Sequence, residues 1–394
     1  MTLDSAIATG LPITIVVPVF RNLQVTRVCL ESLIASDLPK NASIVVINDD
    51  SPEAELSDFC RELAARVGFR LLVNEDNLGF VKTANRGFAL DAEADILLLN
   101  SDTVVSSDWL QRLQSCAYKE ESIGTVTPFS NNGTICSYPV FNISNKLPAH
   151  WSAAELDQAF QLANAGSYWE IPTAVGFCMY IKRSCLNEAG TFDEANFGYG
   201  YGEECDFSLR ASALGWKHAV AADVFVYHEG GASFASESME RKRHADKIMS
   251  MLHPGYHQLI SEFLQLDPLY DFRRNVDAIR LRDKPADSVA ILQEHFHYTR
   301  AILERTAEYR RTILGEREQR QYLEQMLGEC RNQFADTDRA LAETQCGLAK
   351  AQQVVDDLNQ DVDNAKIYAQ QLREHIVTME QSRSWRYTEW LRRK

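Results

Sequence analysis

Short β-branched and leucine-rich runs alternate with helix-length amphipathic stretches through the first part of the chain. The runs are Ile13–Val17 (ITIVV), Ser43–Ile47 (SIVVI), Phe69–Val73 (FRLLV) and Asp95–Leu99 (DILLL). Between them, Gln24–Ala35, Glu53–Val67 and Val81–Leu90 have the length and pattern of helices. Short apolar strands alternating with helices predict an α/β fold, a mostly parallel sheet covered on both faces. In such sheets ligands gather at the carboxyl ends of the strands. Three of the runs lead straight into polar residues there: Asn48-Asp49-Asp50-Ser51, Asn74-Glu75-Asp76-Asn77 and Asn100-Ser101-Asp102.

Regularity weakens from Thr125 to Phe177, where one helix is predicted over Ser152–Ala163 and the rest reads as a loop-rich half closing over the site. Strand-like runs return at Phe177–Ile181 and Asp223–Tyr227. No proline follows Pro285, and an apolar 4-3 repeat runs from Leu323 to Met379. That repeat predicts a coiled coil. A lone helix of this kind leaves its seam in water, so a second strand is expected, a further copy of the chain being the first choice. The expected division is 1–255 for the α/β domain, 256–300 for a helical linker, 301–381 for the coiled coil and 382–394 for a basic, aromatic tail. Trp385, Trp390 and the arginines of that tail suit an anionic membrane face, although a solvated helix end explains them equally well.

Composition narrows the class. A hydrophobic share of 45% belongs to a globular protein, and a net charge of -15 excludes a broad nucleic-acid surface. Nine cysteines without a C-x-x-C pair fit neither a disulfide framework nor a zinc site, which implies reduced thiols and a cytoplasmic location. The first residues lack the basic and apolar regions of a signal peptide. No apolar run approaches the roughly 20 residues needed to span a bilayer, so a soluble protein, or one peripheral to the inner face of the cytoplasmic membrane, is expected.

Four places can carry chemistry. Asp49, past the second strand, can bond a ribose or base edge, or can cap the next helix. Asp102, with Asn100 as a neutral companion, stands where a carboxylate would hold a divalent cation on a diphosphate, or can serve as a turn residue before the helix at Trp109. In GYGEECDFSLR (Gly200–Arg210) three acids open a helix. Asp206 and Arg210 have ion-pair spacing, and Glu203 and Glu204 point roughly 100° apart around the axis. Acids in a first turn complement the helix dipole, yet adjacent carboxylates also oppose each other's ionisation and make a general base. His228 ends a strand before two glycines, Gly230 and Gly231, which allow close approach to an anion.

Taken in order, these segments resemble the family 2 glycosyltransferases, inverting enzymes with the GT-A fold. The likeness covers Ile13 to Phe234: ITIVVPVFRN, VVINDDSP, NEDNLGFVKTANRGF, DILLLNSDTVV, AVGFCMYIKRSCLNEAGTFDE, GYGEECDFSLR and VYHEGG. The resemblance implies that Asp49 contacts the nucleotide, with Pro18, Phe20, Asn77, Gly79 and Asn85 around the same pocket. It implies that Asn100, Ser101, Asp102 and Gly230 face the donor diphosphate. Asp102 matches the last acid of the D-x-D motif, whose first position is Asn100 here, so the implied Mg2+ or Mn2+ is shared between Asp102 and His228. Glu204 falls at the position of the catalytic base with Glu203 beside it, and Gly176 and Asp206 fall on the acceptor side. The implied partners are a dTDP-, UDP- or GDP-sugar and a saccharide or lipid-linked acceptor, as in bacterial members that build O-antigen or capsule polysaccharides. A degenerate transferase domain serving as a coiled-coil scaffold is the alternative, resting on the missing first acid. A sugar nucleotidyltransferase is disfavoured because PVFRNLQV holds no glycine.

Overall fold

The structure, a computed structural model, describes residues 11–198, 200–230, 238–300, 302–304, 319–325 and 341–381. Strand β1 (Ile13–Val19) lies between β2 (Ala42–Asn48) and β4 (Asp95–Leu99), parallel to both, and β3 (Arg70–Val73) extends the sheet beyond β2. Helices α1 (Leu23–Ala35), α2 (Ala54–Val67) and α3 (Phe80–Phe88) make the crossovers. Ile13, Ile15, Val16 and Val17 are all fully buried, because packing on both sheet faces covers successive side chains of either orientation. Helix α3 rides very close to β1: a Cβ at Gly87 would fall 2.3 Å from Val16 Cγ1, so no larger residue fits there.

Past β4 the direction changes. A short β5 (Thr103–Val104) leads to α4 (Trp109–Ala117) and β6 (Ile123–Phe129). Helix α5 (Ala153–Asn164) opens at Ser152 with a reciprocal capping box to Glu155, one residue inside its expected start. Then come β7 (Tyr168–Ile171), β8 (Cys178–Ile181), α6 (Arg183–Ala189), α7 (Glu194–Phe197), α8 (Glu203–Ala213) and β9 (Lys217–Phe225). The sheet order is β3-β2-β1-β4-β8-β6-β9-β7, with β8 antiparallel to both its neighbours. Strand β10 (Tyr227–His228) leaves this sheet and pairs with β5, setting His228 opposite Thr103.

Three strands differ from the sequence expectation, the first being β7, which lies in a stretch that reads as loop-rich. Strand β6 was hidden by Gly124, Thr125, Thr127 and Pro128, and its register with β9 slips on either side of them. Strand β9 begins at Lys217 rather than near Asp223, because its first half is alanine-rich and alanine is a weak strand former.

The first compact unit runs to Glu294 and includes helices α9 (Ser238–Leu252), α10 (Tyr256–Leu266) and α11 (Tyr270–Asp283). Several charged residues of this stretch, Arg273, Asp277, Arg280 and Asp287, are buried and paired. Arg280 is fully buried and donates to the Tyr138 hydroxyl (3.0 Å), Asp287 Oδ2 (3.2 Å) and Glu294 Oε2 (2.8 Å). Tyr138 in turn donates to Asp277 Oδ1 (2.7 Å), and Trp151 Nε1 to Asp287 Oδ2 (2.7 Å). The network ties α11 to the loop after β6 and to the start of α5.

The second unit contains the long helix Leu341–Gln381. Val355, Val362 and Leu372, all on the expected seam, are buried, while Val354 and Ile367 off the seam are exposed. Lys366 holds the Asp363 carboxyl below its ordinary range. Seam residues 326–340 and the tail 382–394 lie outside the described residues. Among the described residues, no helix is long and apolar enough to cross a membrane.

Removing Arg280 would leave Asp287 and Glu294 without their cation in a poorly hydrated site, while Asp277 keeps Arg274 at 2.6 Å. Arg280→Ala is expected to lower the unfolding free energy of the first unit by about 3–5 kcal/mol, read from urea denaturation.

Candidate active site

The polar residues at the carboxyl edge of the sheet fall into two groups, those satisfied within the protein and those left open. Asp49 belongs to the first. Its Oδ1 accepts from Asn74 Nδ2 (2.6 Å) and the Leu78 amide (2.8 Å), and its Oδ2 from the Gly79 amide (2.9 Å). It pins the loop after β3 against the end of β2. Asn77 braces the same loop, its Oδ1 accepting from the Gly79 amide (3.0 Å), while the residue itself is exposed. Asn85 donates to the Phe192 carbonyl and to Glu194 Oε1, both at 2.9 Å, and accepts from the Phe192 amide (3.1 Å). It ties α3 to the turn before α7. Pro18 and Phe20, at and beyond the end of β1, are partly exposed.

The second constellation joins the β4 and β10 ends. His228 Nε2 lies 3.3 Å from Asp102 Oδ1, and the Gly230 amide donates to Asp102 Oδ2 (3.2 Å). On the far side of the ring, Nδ1 donates to the Asn132 carbonyl (2.7 Å). Burial by itself would lower the His228 pKa, but the Asp102 carboxylate outweighs it and raises it. Burial would likewise raise Asp102, and the hydrogen bond and charge of His228 bring it below the usual carboxylate range. Each group thus favours the charged form of the other. Ser101 lies on the turn beside them, and Asn100 keeps a buried Oδ1 without a hydrogen-bond partner among the described residues.

These donors fit a divalent cation. A carboxylate, an imidazole nitrogen and an orphaned amide oxygen suit Mg2+ or Mn2+, which take protein oxygens sparingly and leave positions for phosphate. With its proton held on Nδ1 by a carbonyl, His228 can offer Nε2 to a metal. Among the described residues, no cluster of three or more His, Cys, Asp or Glu side chains is set for a metal.

The third constellation is the first turn of α8. Asp206 is buried and accepts from Arg210 Nε and His253 Nε2, each at 2.8 Å. The Arg210 bond was foreseen from spacing. The His253 bond, which docks the end of α9, was not, because nothing local links the two. Glu203 is 5% exposed, and its Oε2 has no hydrogen-bond partner among the described residues. Burial, then the charge of Glu204, push its pKa well above the ordinary range. Glu204 stays partly accessible, lies against Gly176 (3.6 Å from a Cβ built there) and is also raised by burial. Cys205 accepts a hydrogen bond from the Tyr256 hydroxyl (3.4 Å) and has its thiol pushed far up by burial, as befits a packing residue.

Two residues connect these centres. The Phe177 carbonyl accepts from the Asn100 amide (2.8 Å), and its ring stacks on His228 at 5.0 Å. Its neighbour Gly176 touches Glu204. Asn131 and Asn132, which frame His228, escaped sequence reading because a polar dipeptide in a loop has no periodicity to mark it.

A mostly parallel sheet with these groups at its edge has the layout of a GT-A-like transferase domain. Residues 11–246 match the model of the glycosyltransferase-like family 2, and the chain belongs to that family. It is 30% identical over 101 residues to Glycosyltransferase GlyA of Streptococcus pneumoniae serotype 4, covering 26% of this chain and 14% of that protein. It is 19% identical over 220 residues to Glycosyltransferase AglE of Haloferax volcanii, covering 55% and 66%. The chain thus spans less than two thirds of either relative. A crystal structure of GalNAc-T7 with UDP, GalNAc and Mn2+ superposes with a TM-score of 0.46 at 16% identity, over 71% of this chain and 57% of that one.

The ion pair makes stability depend on pH. The raised His228 pKa contributes stability that is full below about 6.5 and lost as pH climbs through the folded value. The lowered Asp102 pKa contributes above about 3.9 and is lost as pH falls through its folded value. The stability difference between the wild type and His228→Gln should therefore be largest between these limits and shrink on both sides, measured by denaturation across pH.

Proposed function

We propose that this protein is an inverting glycosyltransferase. It would move a sugar from a nucleoside diphosphate donor to a saccharide or lipid-linked acceptor in the synthesis of a bacterial surface polysaccharide of O-antigen or capsule type. The observation that carries this is the joining of Asp102 and His228 to Glu204 through Gly176-Phe177, which sets a cation site and a candidate base on either side of one strand end.

In this reading Asp102 and His228 hold the cation, and Asn100 lends its unpaired oxygen. When bound, Mg2+ or Mn2+ supplies charge neutralisation at the donor diphosphate. The Gly230 amide and Ser101 line the diphosphate, and Pro18, Phe20 and Asn77 face the nucleotide. Asp49, Gly79 and Asn85 act by holding those walls in place. Glu204 takes the proton from the acceptor hydroxyl as that oxygen attacks the anomeric carbon, in one displacement with inversion. Glu204 is preferred over Glu203 because it is the more accessible of the pair. Asp206, bridging Arg210 and His253, keeps the first turn of α8 in place on the acceptor side.

Glu204→Gln is expected to reduce kcat by about 10²- to 10⁴-fold, the usual range for a general base, while binding of a nucleoside diphosphate with Mn2+ persists. The assay is release of nucleoside diphosphate from a panel of dTDP-, UDP- and GDP-sugars with a saccharide acceptor. An unaltered kcat in the variant removes Glu204 from the role.

A further inference from the structure

His228 is held by a dipeptide that the proposed reaction leaves without a part. Asn131, just past β6, is 3% exposed. Its Oδ1 accepts from the His228 amide (2.8 Å), and its Nδ2 donates to the His228 carbonyl (2.9 Å) and the Asn145 carbonyl (3.1 Å). One side-chain amide therefore takes both backbone groups of the histidine, and only an amide offers an acceptor and two donors in one plane without charge. Asn132 follows with its carbonyl on His228 Nδ1, and its own amide donates to Ser130 Oγ (3.2 Å). The Asn131 carbonyl accepts twice from Asn145, at 2.9 Å from the main chain and 3.2 Å from the side chain. Asn132 also closes on the glycine after the histidine: a Cβ at Gly230 (φ 71) would come within 1.7 Å of its Nδ2.

The consequence concerns which ring nitrogen is free. A histidine can present either nitrogen, and the hydrogen bond at one decides the state of the other. Here the Asn132 carbonyl takes the proton of Nδ1, which leaves Nε2 towards Asp102. That alignment needs the His228 backbone at a set distance from the loop, and Asn131 sets it. We propose that Asn131 is a positioning residue for the cation site, fixing His228 in the tautomer that offers Nε2 to a divalent ion beside Asp102. The inference rests on the reading of Asp102 and His228 as cation ligands. It adds that the site is built from three chain segments, with the loop after β6 as the third. An Asp at 131 would keep the shape of Asn but lose both donors and set a carboxylate against two carbonyl oxygens.

The test uses the full chain with Mn2+ alone, free Mn2+ being counted by electron paramagnetic resonance, and 15N spectra of the His228 ring in its neutral form. The wild type is expected to bind Mn2+ and to show the Nδ1–H tautomer. Asn131→Ala and Asn131→Asp should weaken Mn2+ binding by about 10- to 100-fold, the span usual for outer partners of a metal-bound histidine, and should mix the tautomers. In a His228→Ala background the Asn131 changes should cost nothing further. Mn2+ affinity and a tautomer unchanged in a folded Asn131 variant overturn the positioning role, as do additive losses in the double variant. A wild type without Mn2+ affinity overturns the cation site itself, which separates the failure of the underlying reading from the failure of this one.

Discussion

The reversal of β8 is the constraint on which the site depends. Because β8 runs against β4, with Leu99 opposite Cys178, its beginning lies at the edge where β4 ends. The hydrogen bond from the Asn100 amide to the Phe177 carbonyl extends that pairing by one step, past the last residue of each strand. A parallel β8 would put Gly176 and Phe177 at the opposite edge of the sheet, away from Asp102. The reversal places Gly176, which has Glu204 beside it, next to the Phe177 ring that stacks on His228. Fold topology, and not the local sequence around either centre, is what brings the two together.

Electrostatics are handled in opposite ways on the two sides. At Asp102 and His228, burial is offset by an opposite charge, which lowers the carboxyl pKa and raises that of the imidazole. At Glu203 and Glu204, burial and a like charge act together and favour the protonated forms. A cation site needs an anionic ligand, and a general base needs a proton affinity near its working pH. The first requires a depressed carboxyl pKa and the second an elevated one. The shifts at Asp102 and at the Glu203–Glu204 pair run in these two directions although both are carboxyl groups, because their neighbours differ.

Much of the architecture was legible in the sequence, for reasons that also explain the gaps. Strands β1, β2 and β4 are buried on both faces, so their apolar runs are nearly unbroken and easily seen. Strand β6 is just as buried, but it buries Thr125 and Thr127, and Pro128 stands where a strand is least expected. The end of the first unit was obscured because Arg273 and Arg280 look like surface residues until Asp267, Asp277, Asp287 and Glu294 are found around them. Order along the chain suggested a shared role for Asp102 and His228 only through a family resemblance. Spacing could not, since the pairing of β5 with β10 is a tertiary event. Asn131 had no signal at all, its value lying in two backbone groups far along the chain.

A polar residue at the edge of a sheet is ambiguous in sequence because building a site and occupying it call for the same side chains. Hydrogen-bond bookkeeping separates the two. Asp49 and Asn85 have their strong bonding positions filled by backbone and side-chain groups of the protein, so a ligand would have to displace part of the wall to reach them. Asn100 Oδ1 and Glu203 Oε2 are buried and unanswered among the described residues, a condition that carries a cost of about 1–3 kcal/mol for each polar atom. Native proteins keep few such atoms, and these two fall on either side of Gly176-Phe177, next to Asp102 and Glu204 in the chain. Buried atoms without a partner occur elsewhere too, Gln111 and Gln114 among them, so an open atom marks the site only where, as at Asn100 and Glu203, it stands beside an acid that can do chemistry.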